Sequence, residues 1–132
     1  MRVMLANRYL LNGQAAKALG LYEADLEERP EQPELRCRLI LAQLALERLE
    51  EAAGLVLEVL ERRGPGALKL LAGGCQGFVP PADTAEPDAL AGLRALLRGD
   101  LAAGRALLGK VDPTRHPVAA SLARALEAAD AP

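Results

Sequence analysis

The residues able to do chemistry are few and poorly placed for it. The single histidine, His116, lies in Thr114-Arg115-His116-Pro117 ahead of the last apolar run, where a surface or capping role fits better than acid–base work. Cys37 and Cys75 each stand inside an apolar, helix-like stretch, and there a thiol behaves as a small hydrophobe. A disulfide between them is compatible with the sequence. Two cysteines are nevertheless fewer than small stapled domains carry, so the expectation is a pair of reduced structural residues. Gly73-Gly74-Cys75-Gln76-Gly77 has the glycines of an anion loop but lacks the following Lys-Ser/Thr and a preceding strand. The acidic run from Glu23 to Glu34 could attract a cation or a basic partner, yet such runs are more often solvated helix faces. No CxxC, HExxH, GxSxG or phosphate-loop pattern occurs. Hence no catalytic, metal-ligating or cofactor-binding residue is singled out, no cofactor is expected, and the chain is not expected to be an enzyme.

Composition points the same way. The net charge is −2, with acidic and basic groups balanced in both halves, so there is no cationic face to neutralise phosphates and a nucleic-acid binder is not expected. Apolar residues make up 51% and charged residues 26%, the balance of a folded chain. Aromatics are only 2%, with Ala and Leu in their place, which favours helix over strand. No apolar stretch approaches the ~20 residues that span a bilayer, so membrane insertion is not expected. Asn7, Arg8 and Asn12 interrupt the apolar residues at the start, which reads as the first helix of a cytoplasmic protein and not as a signal peptide.

Turn-forming residues divide the chain into helix-sized segments. Asn12-Gly13 closes the first, Pro30 and Pro33 the second, Leu49-Glu50 is a weak break, and Gly64-Pro65-Gly66 a strong one. In the second segment Ala15, Ala18, Leu19, Tyr22 and Leu26 share a stripe while Lys17, Glu23, Glu27 and Glu28 face away. The third segment, Pro33 to Glu47, has two stripes. Leu35, Leu39, Ala42 and Leu46 form one, Cys37, Leu41, Leu44 and Ala45 the other, and only Arg36, Gln43 and Glu47 separate them. Such a helix needs cover on several sides, from its own chain or from a partner.

An internal period supplies the layout. Ala18 and Ala52 stand 34 residues apart, and Leu5 with Leu39, Tyr22 with Val56, Leu26 with Leu60 and Pro30 with Gly64 keep the same spacing. Leu5, Ala6, Tyr9, Gly13, Ala18, Tyr22 and Pro30 then resemble the tetratricopeptide repeat, a helix-turn-helix unit. They supply its large apolar residue, small residue, aromatic, turn glycine, small packing residue, second aromatic and closing proline. Arg2 replaces the early Trp of that pattern, and Asp25 the late Ala. The second repeat keeps Leu39 and Ala52 but has Gln43 for the first aromatic and Glu47 for the turn glycine. Beyond a short helix at 67–77 and a proline-rich break, Glu86-Pro87-Asp88 starts a further hairpin, with a turn at Gly99 and Gly104 as its small packing residue. A last helix opened by Pro117 caps the series.

The resemblance implies an all-α fold of stacked antiparallel hairpins in a right-handed superhelix, with six or seven helices and no sheet. One domain is expected over residues 1–132: two hairpins in 1–64, a short helix and proline-rich insertion in 65–85, and a degenerate hairpin with a capping helix in 86–132. It also implies a concave groove lined by Val3, Asn7, Leu10 and Leu11 from the first repeat and by Glu34, Cys37, Leu41, Leu44 and Ala45 from the second. A groove so apolar suits a partner protein's amphipathic helix or peptide, or copies of the chain joined through the same surface. The alternative is that residues 67–132 cover the second stripe. Small tetratricopeptide-like chaperones and scaffolds of bacterial type III secretion systems have a similar layout. The function expected is therefore protein binding, with a structural adaptor or self-assembling scaffold subunit as the alternative.

Overall fold

The computed structural model describes residues 2–80 and 85–130, which form eight helices. They are α1 (Arg2–Leu11), α2 (Ala15–Glu28), α3 (Pro33–Ala45), α4 (Leu49–Arg63), α5 (Gly66–Gly74), α6 (Asp88–Leu97), α7 (Leu101–Leu108) and α8 (Pro117–Asp130). No strand occurs among the described residues. The expected count of six or seven is too low, because every break in the sequence is a complete interruption. Even the weak one near Leu49 is a full turn. Residues 81–84 of the expected insertion lie outside the described residues, as do Met1 and the last two residues.

Three of the turns are built alike. Gly13, Glu47 and Gly99 take left-handed backbone angles, with φ of 77°, 61° and 90°. In each case the next amide reaches back five residues: Gln14 N to Tyr9 O at 2.8 Å, Arg48 N to Gln43 O at 2.9 Å and Asp100 N to Ala95 O at 2.9 Å. These bonds satisfy carbonyls that the helix end would otherwise leave open. Glu47 does the work of a glycine without being one, and a side chain crowds the backbone in that conformation. The 34-residue period seen in side chains is thus also a period of the backbone: α1 and α3 end at Leu11 and Ala45, and α2 and α4 begin at Ala15 and Leu49.

Helix α3 stands at the centre and divides the interior in two. Its first stripe, Leu35, Leu39 and Ala42, packs with Ala6, Ala15, Ala18, Leu19 and Tyr22 of the first hairpin. Its second, Cys37, Leu41 and Leu44 together with Ile40, packs with residues of α4, α5, α6, α7 and α8. Gln43, expected in the polar seam, is buried with its side-chain oxygen unpartnered. Helix α4 packs most extensively on α8. The Glu50 carboxylate ties the two together by accepting the amides of Val118 at 3.0 Å and Ala119 at 3.1 Å, so a side chain of α4 caps the positive end of α8.

Small residues set the closest approaches. Ala18 and Ala52 are fully buried. A methyl group on Gly104 would collide with Leu96 and lie 3.2 Å from the Gly92 carbonyl, so α6 and α7 meet through glycines on both sides. Gly74 has the same part in α5, where an added Cβ would fall 2.6 Å from the Glu34 Cα. The glycine-rich stretch at 73–77 is therefore where α5 touches the backbone of α3. The two departures from the repeat pattern meet each other: Arg2 Nη1 is 3.1 Å from Oδ1 of Asp25, which is buried and also lies 3.6 Å from Arg29. One member of the acidic run is thus an interior ion-pair partner, while Glu23, Glu27 and Glu28 face solvent as expected.

Candidate binding surface

The expected groove residues separate into open and closed sets. On α1, Val3, Asn7 and Leu10 are half-buried and Leu11 is 63% exposed. On α3, Glu34 and Ala45 are exposed at the two ends of the helix. Between them Cys37, Leu41 and Leu44 are at most 4% exposed, so the part of the groove they were expected to line is closed. Residues 67–132 supply the cover, since α5 and α6 pack on α3 and residues of α7 and α8 belong to the same core. A repeat pattern identifies the helix face that needs burial but not whether the same chain returns to bury it.

The two cysteines also differ from expectation. Cys37 and Cys75 are joined as a disulfide with Cα atoms 5.6 Å apart, and no free cysteine remains among the described residues. Their separation of 38 residues conceals the contact. The close seat of Gly74 on α3 creates it, because the next residue is brought within bridging distance.

Beside the closed stripe lies a polar cluster. Asn7 Oδ1 accepts from the Tyr22 hydroxyl at 2.6 Å and from Arg38 Nη1 at 3.4 Å. Burial pushes the Tyr22 phenol up to about 12, with the Arg38 charge opposing the shift. The Arg38 guanidinium lies over the Phe78 ring at 4.6 Å, and its Nε is buried without a partner. Residues 75–80 thus form a strap held at three points: the disulfide, the Arg38–Phe78 stack and a 2.6 Å bond from Arg98 Nη2 to the Pro80 carbonyl. Neither Arg38 nor Phe78 belongs to the groove that the repeat resemblance implies. An isolated aromatic next to a proline pair was the one available signal.

The largest exposed apolar side chains are Met4 at 71%, Leu70 at 68%, Leu11 at 63% and Leu5 at 43%, three of them on α1. Leu70 borders a small cavity with Pro30, Pro33, Arg36, Val59 and Leu71, near the Arg63–Glu31 ion pair. His116 lies in the turn before α8 with its Nδ1 buried and unpartnered, and its amide donates to the Asp112 carbonyl at 2.9 Å. Hydrogen bonds from the Thr114 side chain and amide hold the Asp112 carboxyl below its usual range. Among the described residues no group of three or more His, Cys, Asp or Glu side chains could hold a metal ion, and no helix is long and apolar enough to cross a membrane.

No family model, curated protein or solved structure matches the chain. Its class rests on its own geometry, which is an all-helical chain.

Proposed function

We propose that the chain is a binding module of tetratricopeptide type that holds an amphipathic helix or peptide of a partner protein and does no chemistry itself. The observation that carries this reading is the coincidence of the 34-residue side-chain period with repeated turn geometry, next to open apolar side chains on the first helix. The docking surface is α1, with Met4 and Leu11 as contacts and Val3, Asn7 and Leu10 as its inner edge. The same reading extends to a chaperone for a secreted helix, as the layout suggests. A cytoplasmic location fits it if the disulfide exchanges with cellular thiols, since lasting disulfides are rare there.

A photo-crosslinking residue at position 11 should capture a partner protein in the native cell, and one at position 70 should not. Leu11→Glu should then remove the interaction while the melting temperature stays unchanged, because Leu11 is already largely in water. Capture of the chain by itself alone would establish the scaffold alternative. Capture from position 70 and not from position 11 would overturn the reading.

A further inference from the structure

We propose that the Cys37–Cys75 disulfide is reversible and that Cys75 is its point of entry, reached through a cavity that receives a small carboxylate-bearing thiol. The cavity, of about 470 Å³, lies between the end of α5 and the turn that joins α6 to α7, and is within the size range of sites for small molecules. Cys75 is among its lining residues and Cys37 is not. The two cysteines are therefore inequivalent, one bordering a solvent-connected space and the other set in the central helix.

Charge gives the ligand its class. Among the described residues, the ionisable side chains lining the cavity are those of Lys69 and Arg98, both cationic. The nearest acid in sequence, Asp100, is committed elsewhere, its carboxylate accepting the Ala103 amide at 3.0 Å at the start of α7. Two fixed positive charges draw in an anionic thiol and favour the thiolate, which is the attacking form. Cys75 is fully buried, so the last approach requires a local opening at the end of α5. Gly73 and Gly74 precede it and Gly77 follows at φ 87°, which makes this stretch of backbone easy to move.

The chemistry is thiol–disulfide exchange. The incoming thiolate attacks the Cys75 sulfur, the bond to Cys37 breaks, and Cys37 leaves as a thiolate that takes up a proton. Cys75 is then held in a mixed disulfide with the small thiol. A second small thiol attacks the ligand's sulfur, releasing Cys75 as a thiol and the small molecule as its own disulfide. Two electrons pass from the two small thiols to the protein. Reduction frees the end of α5 from α3 and loosens the strap that lays Phe78 over Arg38.

This inference does not rest on the partner-binding reading. The test uses the oxidised full-length chain, with glutathione as the anionic reductant, 2-mercaptoethanol as the neutral one, and the release of protein thiols as the readout. Glutathione should reduce the chain faster as salt is lowered, and Lys69→Glu should slow that reaction roughly tenfold while slowing 2-mercaptoethanol, whose attacking thiolate carries a single charge, by distinctly less. Lys69 is exposed, so melting of the variant should match that of the parent. Trapped intermediates should carry the glutathione on Cys75. Glutathione on Cys37, equal slowing of both reductants, or free thiols in the chain as purified in air would each overturn the proposal. The salt dependence of the parent chain reads the cationic cavity without any variant.

Discussion

The two sides of α3 face different kinds of interior. Toward α1 and α2 the packing is made by alanines and leucines around the buried Tyr22, with Tyr9 at its edge, and is supplemented by polar links, Asn7 to Tyr22 and Arg2 to Asp25. Toward α4 to α8 it is a leucine-rich core closed by a disulfide. The same repeat position has opposite outcomes: Leu39 is 5% exposed beneath the first hairpin, whereas its counterpart Leu5 is 43% exposed. A repeat unit buries its apolar face only against a neighbour, so identical patterning gives core in one place and open surface in another.

The sharpest way to break this comparison is a charge on each side of the boundary. Leu44→Glu, which places an unpaired carboxylate in the larger core, should cost about 4 kcal/mol or more and unfold the chain, as should Leu41→Glu. Ala45→Glu, one residue on and exposed, should change stability by no more than about 0.5 kcal/mol in denaturant melts. Equal tolerance at 44 and 45 would mean that the chain after α3 does not cover the stripe.

Next in size is the disulfide. Replacing both cysteines by serine, or reducing them, opens a loop that contains all of α4 and should cost roughly 3–4 kcal/mol. In hydrogen exchange the loss should appear first in α5, and the α1–α2 hairpin should keep its protection.

Small packing residues measure how tightly each side is fitted. Ala18→Leu in the first hairpin and Gly104→Ala between α6 and α7 should each cost roughly 1–3 kcal/mol in thermal melts. Unchanged melting for Ala18→Leu would mean that the repeat register is wrong.

The smallest effect has the opposite sign. Glu47→Gly should stabilise by roughly 0.5–1 kcal/mol, because a non-glycine residue in the left-handed region carries strain that glycine removes. The matching change at Gly13, Gly13→Ala, should destabilise, and no difference between the two in chemical denaturation would refute the equivalence of the turns.

Much of the candidate surface was legible as a list of residues but not as a surface. Leu11, at the end of α1, is open, while Leu41 and Leu44, which the repeat resemblance assigns to the same groove, are inside. The helix register fixes which side of α3 they occupy, and the return of the chain over that side is a long-range event that no local spacing records. Arg2 and Asp25 show the same limit, since each is a departure from the repeat pattern when read alone and they form one ion pair in space.

By itself the sequence determined that the chain is helical, because Ala and Leu stand where strand formers would be needed. It also determined where the helices turn, because Gly13, Gly64 and Gly99 and the proline pairs punctuate it. It determined, too, that α3 carries two apolar stripes, since a period of three and four residues is a property of the helix alone. Only the tertiary structure decided that Leu35, Leu39 and Ala42 on one stripe and Cys37, Leu41 and Leu44 on the other are covered, that α4 packs on α8 through Glu50, and that Cys37 meets Cys75. Each of these contacts joins residues distant in the chain. Their free energy comes from excluding water between surfaces that exist only after the helices have formed, so local residue spacing carries no trace of them.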